Sequence, residues 1–266
     1  MEREVRVHSW SELQERLFEG SWMPKLQLHR SQNAFRGQAD AGYSLETSLH
    51  RMTGGSTDLE RHLLRNFRKY AHRDAVEHDS PWHWLSLAQH HGLPTRLLDW
   101  SFSPFVAMHF ATANTNCYDV DGVIWAVNYV KAHRHLPTLL RAELEREGSD
   151  VFSVEMLSRV VPSLERFDGL SANTFVLFFE PPSIDDRIVN QFALFSVMSD
   201  AKVAFNAWLA ERPLLYRRFI IPAELKWEIR DKLDQANINE RVLFPGLDGL
   251  SRWMKRQYTP RCRSEG

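Results

Sequence analysis

Two short clusters hold most of the side chains in this chain that could bind or transform a ligand. The first is residues 33–38, Asn-Ala-Phe-Arg-Gly-Gln, in which Arg36 follows a strand-like run and precedes Gly37. A guanidinium presents its N–H donors in a rigid fork that suits phosphate or carboxylate, and a glycine beside it lets backbone and ligand approach closely. The second is residues 88–111, AQHHGLPTRLLDWSFSPFVAMHFA, where Thr95, Arg96, Asp99, Ser101 and Ser103 stand among residues that read as buried. Arg96 and Asp99 lie three apart, so on an extended strand they point to opposite faces and do not pair with each other. A buried arginine then needs another anionic partner, for which a ligand phosphate is one candidate. The competing reading is a network in which Arg96, Asp99 and the two serines fix a tight turn. A helix beginning near Ser103 adds free backbone N–H groups, a second anion-favouring feature.

The histidines are weaker evidence. His72, His78, His83, His90 and His91 cluster in sequence, but on a helix His83 and His90 are seven residues apart and no acid accompanies them. Metal-binding helices use spacings of three or four, so no metal site is expected. His90 and His91 are read as dipole-favoured groups at a helix C-terminus. Cys117 and Cys262 form no CxxC pair, which argues against a disulfide framework or a cysteine zinc site.

Positioning these clusters requires elements that the periodicity marks out. A helix is predicted from Ser9 or Ser11 to about Glu19, and strand structure in KLQLHRSQNAFRGQ ending near Phe35. ADAGYSLETSLHR reads as a turn with a short strand or cap, and Asp58 as the cap of a helix to about Glu77. Ser80-Pro81 and Ser103-Pro104 repeat a cap-plus-proline signature; the helices they open end at Gly92 and about Ala113. TRLLDW between them is short and extended. GVIWAVNY and TFVLFFEPP are buried strands, with helical segments between Ala132 and about Leu164. FALFSVMS and YRRFIIP are further strands around a short helix in AKVAFNAWL, and helices follow from Pro222 to about Gln235 and from Gly246 to Tyr258. No regular βαβ rhythm appears, which favours α+β over a doubly wound sheet.

A formal net charge of -1 argues against a general nucleic-acid or membrane-surface binder. The start MEREVRVHSW has no apolar h-region and no run approaches a membrane span, so a soluble, cytoplasmic protein with no membrane partner is expected.

Together the two clusters resemble the FRG-domain family, named for its phenylalanine-arginine-glycine motif. The motif stands as Phe35-Arg36-Gly37-Gln38, followed by Tyr43-Ser44-Leu45 and Thr47-Ser48-Leu49. The second family block is similar to QHHGLPTRLLDW, Gln89 to Trp100, with Pro104, Ala107, Phe110 and Ala111 after it. A later arginine followed by Gln-x-x-x-Phe resembles Arg187, Gln191 and Phe195. The likeness spans residues 33 to about 200 of one domain over 1–266, which residues 201–266 are expected to complete.

FRGQ and DWSFSPFVAMHFA also resemble, more distantly, two elements of the arginine-serine-glutamate class of ADP-ribosyltransferases. That resemblance implies an α+β fold with a split mixed or antiparallel β core and surrounding helices, and NAD as the substrate. It places Arg36 at the phosphates or adenine-side ribose, Ser101 and Ser103 at the nicotinamide ribose, and Trp100 or Phe110 near the nicotinamide ring. Gly37, Gln38, Ser44, His91, Thr95 and Arg96 complete the expected binding set. Nicotinamide would leave through an oxocarbenium-like ribose, stabilised by rigid binding of the pyrophosphate and polarised ribose hydroxyls. The Glu-x-Glu or Gln-x-Glu strand of that class has no counterpart here, leaving Gln191, Asp99 and Glu180 as substitutes. The expected catalytic set is Arg36, Ser101, Gln191 and Asp99.

Three readings follow. The first is an NAD-dependent ADP-ribosyltransferase-like enzyme modifying a protein or nucleic-acid target, as a bacterial or phage-defence toxin with an antitoxin partner. The second is a non-catalytic anion or nucleotide module built on Arg36, Arg96 and His91. The third is a metal-dependent nuclease using the histidines and Asp99.

Overall fold

The apolar runs at 122–128 and 176–180 fold as the strands their composition predicts, inside one eight-stranded mixed sheet. The structure, a computed structural model, describes residues 3–54, 56–71 and 80–259. The strands are β1 (Glu4–Arg6), β2 (Trp22–Met23), β3 (Leu28–His29), β4 (Asn33–Gln38), β5 (Leu97–Ser101), β6 (Gly122–Asn128), β7 (Phe152–Ser153), β8 (Val176–Glu180), β9 (Ala193–Met198) and β10 (Tyr216–Ile221). The helices are α1 (Trp10–Phe18), α2 (Ser48–Thr53), α3 (Thr57–Ala71), α4 (Pro81–His90), α5 (Pro104–Thr112), α6 (Tyr129–His133) and α7 (Thr138–Glu147). They continue with α8 (Val154–Val160), α9 (Leu164–Asp168), α10 (Asp186–Asn190), α11 (Phe205–Ala210), α12 (Lys226–Gln235), α13 (Glu240–Leu243) and α14 (Leu247–Tyr258). Helices and a mixed sheet without βαβ alternation make the chain α+β. Among the described residues no helix is long and apolar enough to cross a membrane.

The sheet runs β1-β10-β6-β4-β5-β9-β8-β7, with only the β1–β10 and β7–β8 pairs parallel. One joint is nearly open. β4 pairs with β6 along its whole length, from Asn33↔Asn128 to Gln38↔Val123, yet meets β5 only at Phe35↔Ser101. Two well-paired halves therefore part just beyond that residue pair. Side chains alternate across the sheet, and the cores follow the division. On one face Ala34, Leu98, Trp100, Trp125 and Phe178 share a core with Phe205 and Trp208 of α11. The other face carries two cores: Phe35, Ile124 and Phe219 under α1, α5 and α12, and Leu97, Phe179 and Val197 under α4, α7 and α8.

Local chemistry explains the element ends. Ser80 and Ser103 each accept a backbone N–H, from His83 and Val106, ahead of the prolines that open α4 and α5. Three expectations change. KLQLHRSQNAFRGQ is not one strand: Gln27 turns the chain at φ 51, β3 pairs back on β2, and β4 starts anew and runs on to Gln38. In ADAGYSLETSLHR the cap is Thr47, and what it caps is a helix, α2, beginning at Ser48 rather than a strand. Asp58 does not cap α3; Ser56 accepts from Leu59 N–H, and Asp58 sits in the first turn against Arg61. The expected end of that helix near Glu77 lies outside the described residues, as do His72 and His78.

Two histidines are buried neutral. His133 (4% exposed) has Nδ1 at 2.9 Å from the Asp150 carbonyl and accepts the Phe178 N–H at Nε2, also 2.9 Å. His109 is fully buried, and its Nδ1 accepts from Arg230 Nη1 at 2.8 Å. Burial, reinforced at His109 by Arg230, holds their pKa values down to about 4 and about 3. An unfolded histidine titrates near 6.5, so below that pH the unfolded chain takes up protons that the folded chain refuses. Stability is therefore complete above about pH 6.5 and falls on acidification, by roughly 1.4 kcal/mol per pH unit per histidine down to the folded pKa values. Urea unfolding at pH 7 and pH 5 checks this; equal midpoints would show that neither ring is held neutral.

Candidate functional site

A cavity of about 240 Å³ occupies the place where the two half-sheets part. Arg36 and Phe35 come to it from β4, Asp99 and Ser101 from β5, Gln89 from the end of α4, Phe110 from α5, and Gln191 from the end of α10. Two sequence clusters some 60 residues apart thus meet in one hollow.

The open joint is bridged by Arg36, whose Nη1 donates to the Asp99 carbonyl at 2.6 Å. A continued ladder would supply a backbone donor there; the guanidinium takes its place. Arg36 Nε is buried without a hydrogen-bond partner, and no carboxylate stands within ion-pair distance of Arg36 among the described residues. Burial draws its pKa below the ordinary arginine value, against the Asp99 charge and with added repulsion from Arg51. Such a guanidinium is short of hydrogen-bond acceptors and favours an anion.

The Asp99 side chain is exposed and oriented by a relay. Thr95 Oγ1 donates to Gln89 Oε1 at 2.5 Å, and Gln89 Nε2 donates to Asp99 Oδ2 at 2.8 Å. Thr95 is 1% exposed and is itself held by Ser48, so it positions Gln89 from behind the cavity. Ser101 Oγ is doubly engaged, donating to the Gln191 carbonyl at 2.7 Å and accepting the Ser103 N–H at 2.9 Å. Gln191 spends its amide on the Leu243 carbonyl at 2.8 Å, beside an Asn190–Val242 bond of 2.9 Å. The C-terminal helices thereby brace this wall, and Arg256 braces them in turn through Asp234 and Glu240 at 2.6 and 2.7 Å.

Other residues expected at the site are committed elsewhere or, as with Trp100 and Gly37, line the cavity while facing other elements. Arg96 is 2% exposed, with Glu60 at 2.6 Å and Asp168 at 2.5 Å; these carboxylates raise its pKa in spite of burial. Its anionic partners are internal, and a hollow of about 510 Å³ above it is a separate feature between α3 and the 162–168 segment. Trp100 contributes to the cavity lining, but its ring packs in the opposite core and donates to Ser196 at 2.8 Å. Gln38 accepts from Trp125 and donates to the Ser44 carbonyl, at 2.9 and 3.0 Å, behind the sheet. Ser103 caps α5. His91 is an exposed helix end outside the cavity, and Glu180 ends β8, two strands from β5, without lining it. Gly37 faces α5, whose backbone approaches so closely that a Cβ would lie 1.8 Å from the Ala107 carbonyl oxygen.

The cavity also contains groups not expected there: Gln89, His90 and Arg187. His90 pairs through Nε2 with Asp185 at 2.6 Å. The Gln89–Trp100 run and the Arg187–Gln191 spacing held the signal for the first and last. Among the described residues no group of three or more His, Cys, Asp or Glu could hold a metal ion.

No curated protein and no solved structure matches this chain. The family model for the FRG domain matches residues 31–119, a stretch holding β4, β5, α5 and, with them, Arg36, Asp99, Ser101 and Phe110. Over those residues the chain is similar to the FRG domain.

Proposed function

We propose that the cavity at the open joint binds NAD and that the protein is an ADP-ribosyltransferase-like enzyme acting on a macromolecular target. One observation carries the reading: Arg36, with its unpartnered buried Nε, and the Asp99 carboxylate share a single hollow beside Phe110. An arginine short of acceptors suits a phosphate. A carboxylate placed next to it suits ribose hydroxyls and a developing positive charge, and an aromatic wall suits a planar ring. The split between half-sheets is the feature that makes room for all three, and it supports reading the fold as ADP-ribosyltransferase-like.

NAD supplies a ribose whose bond to nicotinamide breaks with the electron pair leaving on nicotinamide. Arg36 would hold a phosphate of the dinucleotide. Asp99, fixed by Gln89 and Thr95, would hold the ribose 2′-hydroxyl and offset the charge that grows on the sugar. The target's nucleophile then bonds to the ribose carbon and gives up its proton to solvent water as neutral nicotinamide departs. Asp99 takes the acid's place because Gln191 is committed to Leu243 and Glu180 does not line the cavity.

A second reading, NAD binding without turnover, is favoured by Ser101, whose hydroxyl is already engaged twice. NAD carrying a label on its ADP-ribose half separates the two. With a cell extract, the wild type is expected to transfer label and release nicotinamide. Asp99→Asn should lose at least about 100-fold in rate while still binding NAD. Arg36→Ala should weaken NAD binding by about 10- to 100-fold, the size of a charge-assisted hydrogen bond. Tight binding with neither transfer nor release would leave the second reading; absence of binding would end both.

A further inference from the structure

The cavity is small for a dinucleotide. Small-molecule sites usually enclose about 300–1,000 Å³, and this one holds about 240 Å³. An open groove of about 530 Å³ adjoins it, and His90 and Arg187 line both. The groove continues over Phe244, Asp248 and Arg252, at the start of α14 and outside the matched FRG stretch.

Two arginines converge there on one ring. Arg187 and Arg252 lie 5.0 and 5.4 Å from the centroid of Phe244, and among the described residues neither has a carboxylate at ion-pair distance. Stacking on the ring restrains both heads while leaving their N–H donors free. Asp185 is spent on His90 Nε2 at 2.6 Å and on the Ile188 N–H at 3.1 Å. Asp186 and Asp248 line the same groove and offer acceptors for hydroxyl groups. Free guanidinium donors, hydroxyl acceptors and an aromatic surface in one groove match a nucleoside joined to phosphate.

From this we infer that the ligand is a two-part, diphosphate-bridged molecule lying across both spaces, with Arg252 as a specificity-determining residue for its second half. One part occupies the cavity at Arg36. The phosphate bridge passes Arg187, the wall common to cavity and groove. The second nucleoside lies along Arg252 and Asp248. This rests on the nucleotide reading of the cavity and adds that a mononucleotide fills only part of the site.

Calorimetric titration of the full chain with NAD and, separately, with nicotinamide mononucleotide, the half placed in the cavity, tests it. The wild type is expected to bind NAD at least 10-fold tighter than the mononucleotide. Arg252 is exposed, so Arg252→Ala and Arg252→Glu should fold normally, which thermal unfolding verifies. Both should weaken NAD binding 10-fold or more, the charge reversal further, with mononucleotide binding unchanged. Unaltered NAD affinity in both variants overturns the inference, as does a wild type that binds the mononucleotide as tightly as NAD; in either case the nucleotide reading stands. A wild type that binds neither probe overturns the nucleotide reading and this inference with it.

Discussion

Replacing Arg96 with methionine is expected to destabilise the fold by about 3–5 kcal/mol, the range for breaking a buried ion pair, without altering the nucleotide affinity of the molecules that stay folded. The guanidinium is 2% exposed, and Nε donates to Glu60 Oε2 at 2.7 Å while Nη1 reaches Asp168 Oδ1 at 2.5 Å. Glu60 is itself 3% exposed, and its Oε1 has no hydrogen-bond partner. Without Arg96 this carboxylate would lie in the interior with no counter-charge, which costs far more than the net worth of the pair. Removing both members should therefore be milder: Arg96→Met with Glu60→Leu is expected to recover much of the loss. Urea unfolding at pH 7 of the single and double variants measures both effects. A single variant within about 1 kcal/mol of the wild type would show that water reaches Glu60; selective loss of nucleotide binding at full stability would return Arg96 to the site.

Arg96 also shows where sequence reasoning stops. Its need for an anion follows from composition and alternation alone, but its partners stand 36 and 72 residues away, at Glu60 and Asp168. Glu60 reads as an ordinary polar residue of an amphipathic helix, and nothing local says that it is buried. The helix starts at Ser80 and Ser103 were legible because capping is local chemistry. The strand runs at 122–128 and 176–180 were legible because apolar continuity is local too. The edge strand β1 was not: three residues with one buried side chain make no pattern until β10 pairs with them.

At the candidate site the same division holds. Alternation along β5 already sends Trp100 and Ser101 to opposite faces, so the packing of the Trp100 ring in the core was available in the sequence. That Gln191 would spend its amide on Leu243 was not, because the contact joins segments 52 residues apart. Nor was the open joint between β4 and β5, a property of strand register rather than of either strand. Gly37 links the two levels. Its sequence context suggested close approach of a ligand, and the structure shows close approach of a helix.

Gly37→Ala is accordingly expected to be among the most damaging single-methyl changes in the domain. The backbone there has no positive φ, so the constraint is space rather than conformation. An added Cβ would lie 1.8 Å from the Ala107 oxygen and 2.7 Å from the Ala111 nitrogen, both backbone atoms of α5. Neither can swing aside as a side-chain tip would; the helix must lift off β4. Overpacking of this kind costs about 3 kcal/mol or more when the backbone has to move. Because α5 also carries Val106 and Phe110 into the cavity, the displacement should weaken nucleotide binding in the folded fraction as well. Gly92→Ala provides the comparison. Its φ of +81 disfavours a side chain, but a Cβ there meets nothing within 4 Å, so the loss should be only about 1–2 kcal/mol. Urea midpoints of the two variants, with NAD titrations beside them, separate the effects. If Gly37→Ala proves no worse than Gly92→Ala and binds NAD normally, α5 does not lie against β4 as closely as its backbone contacts require.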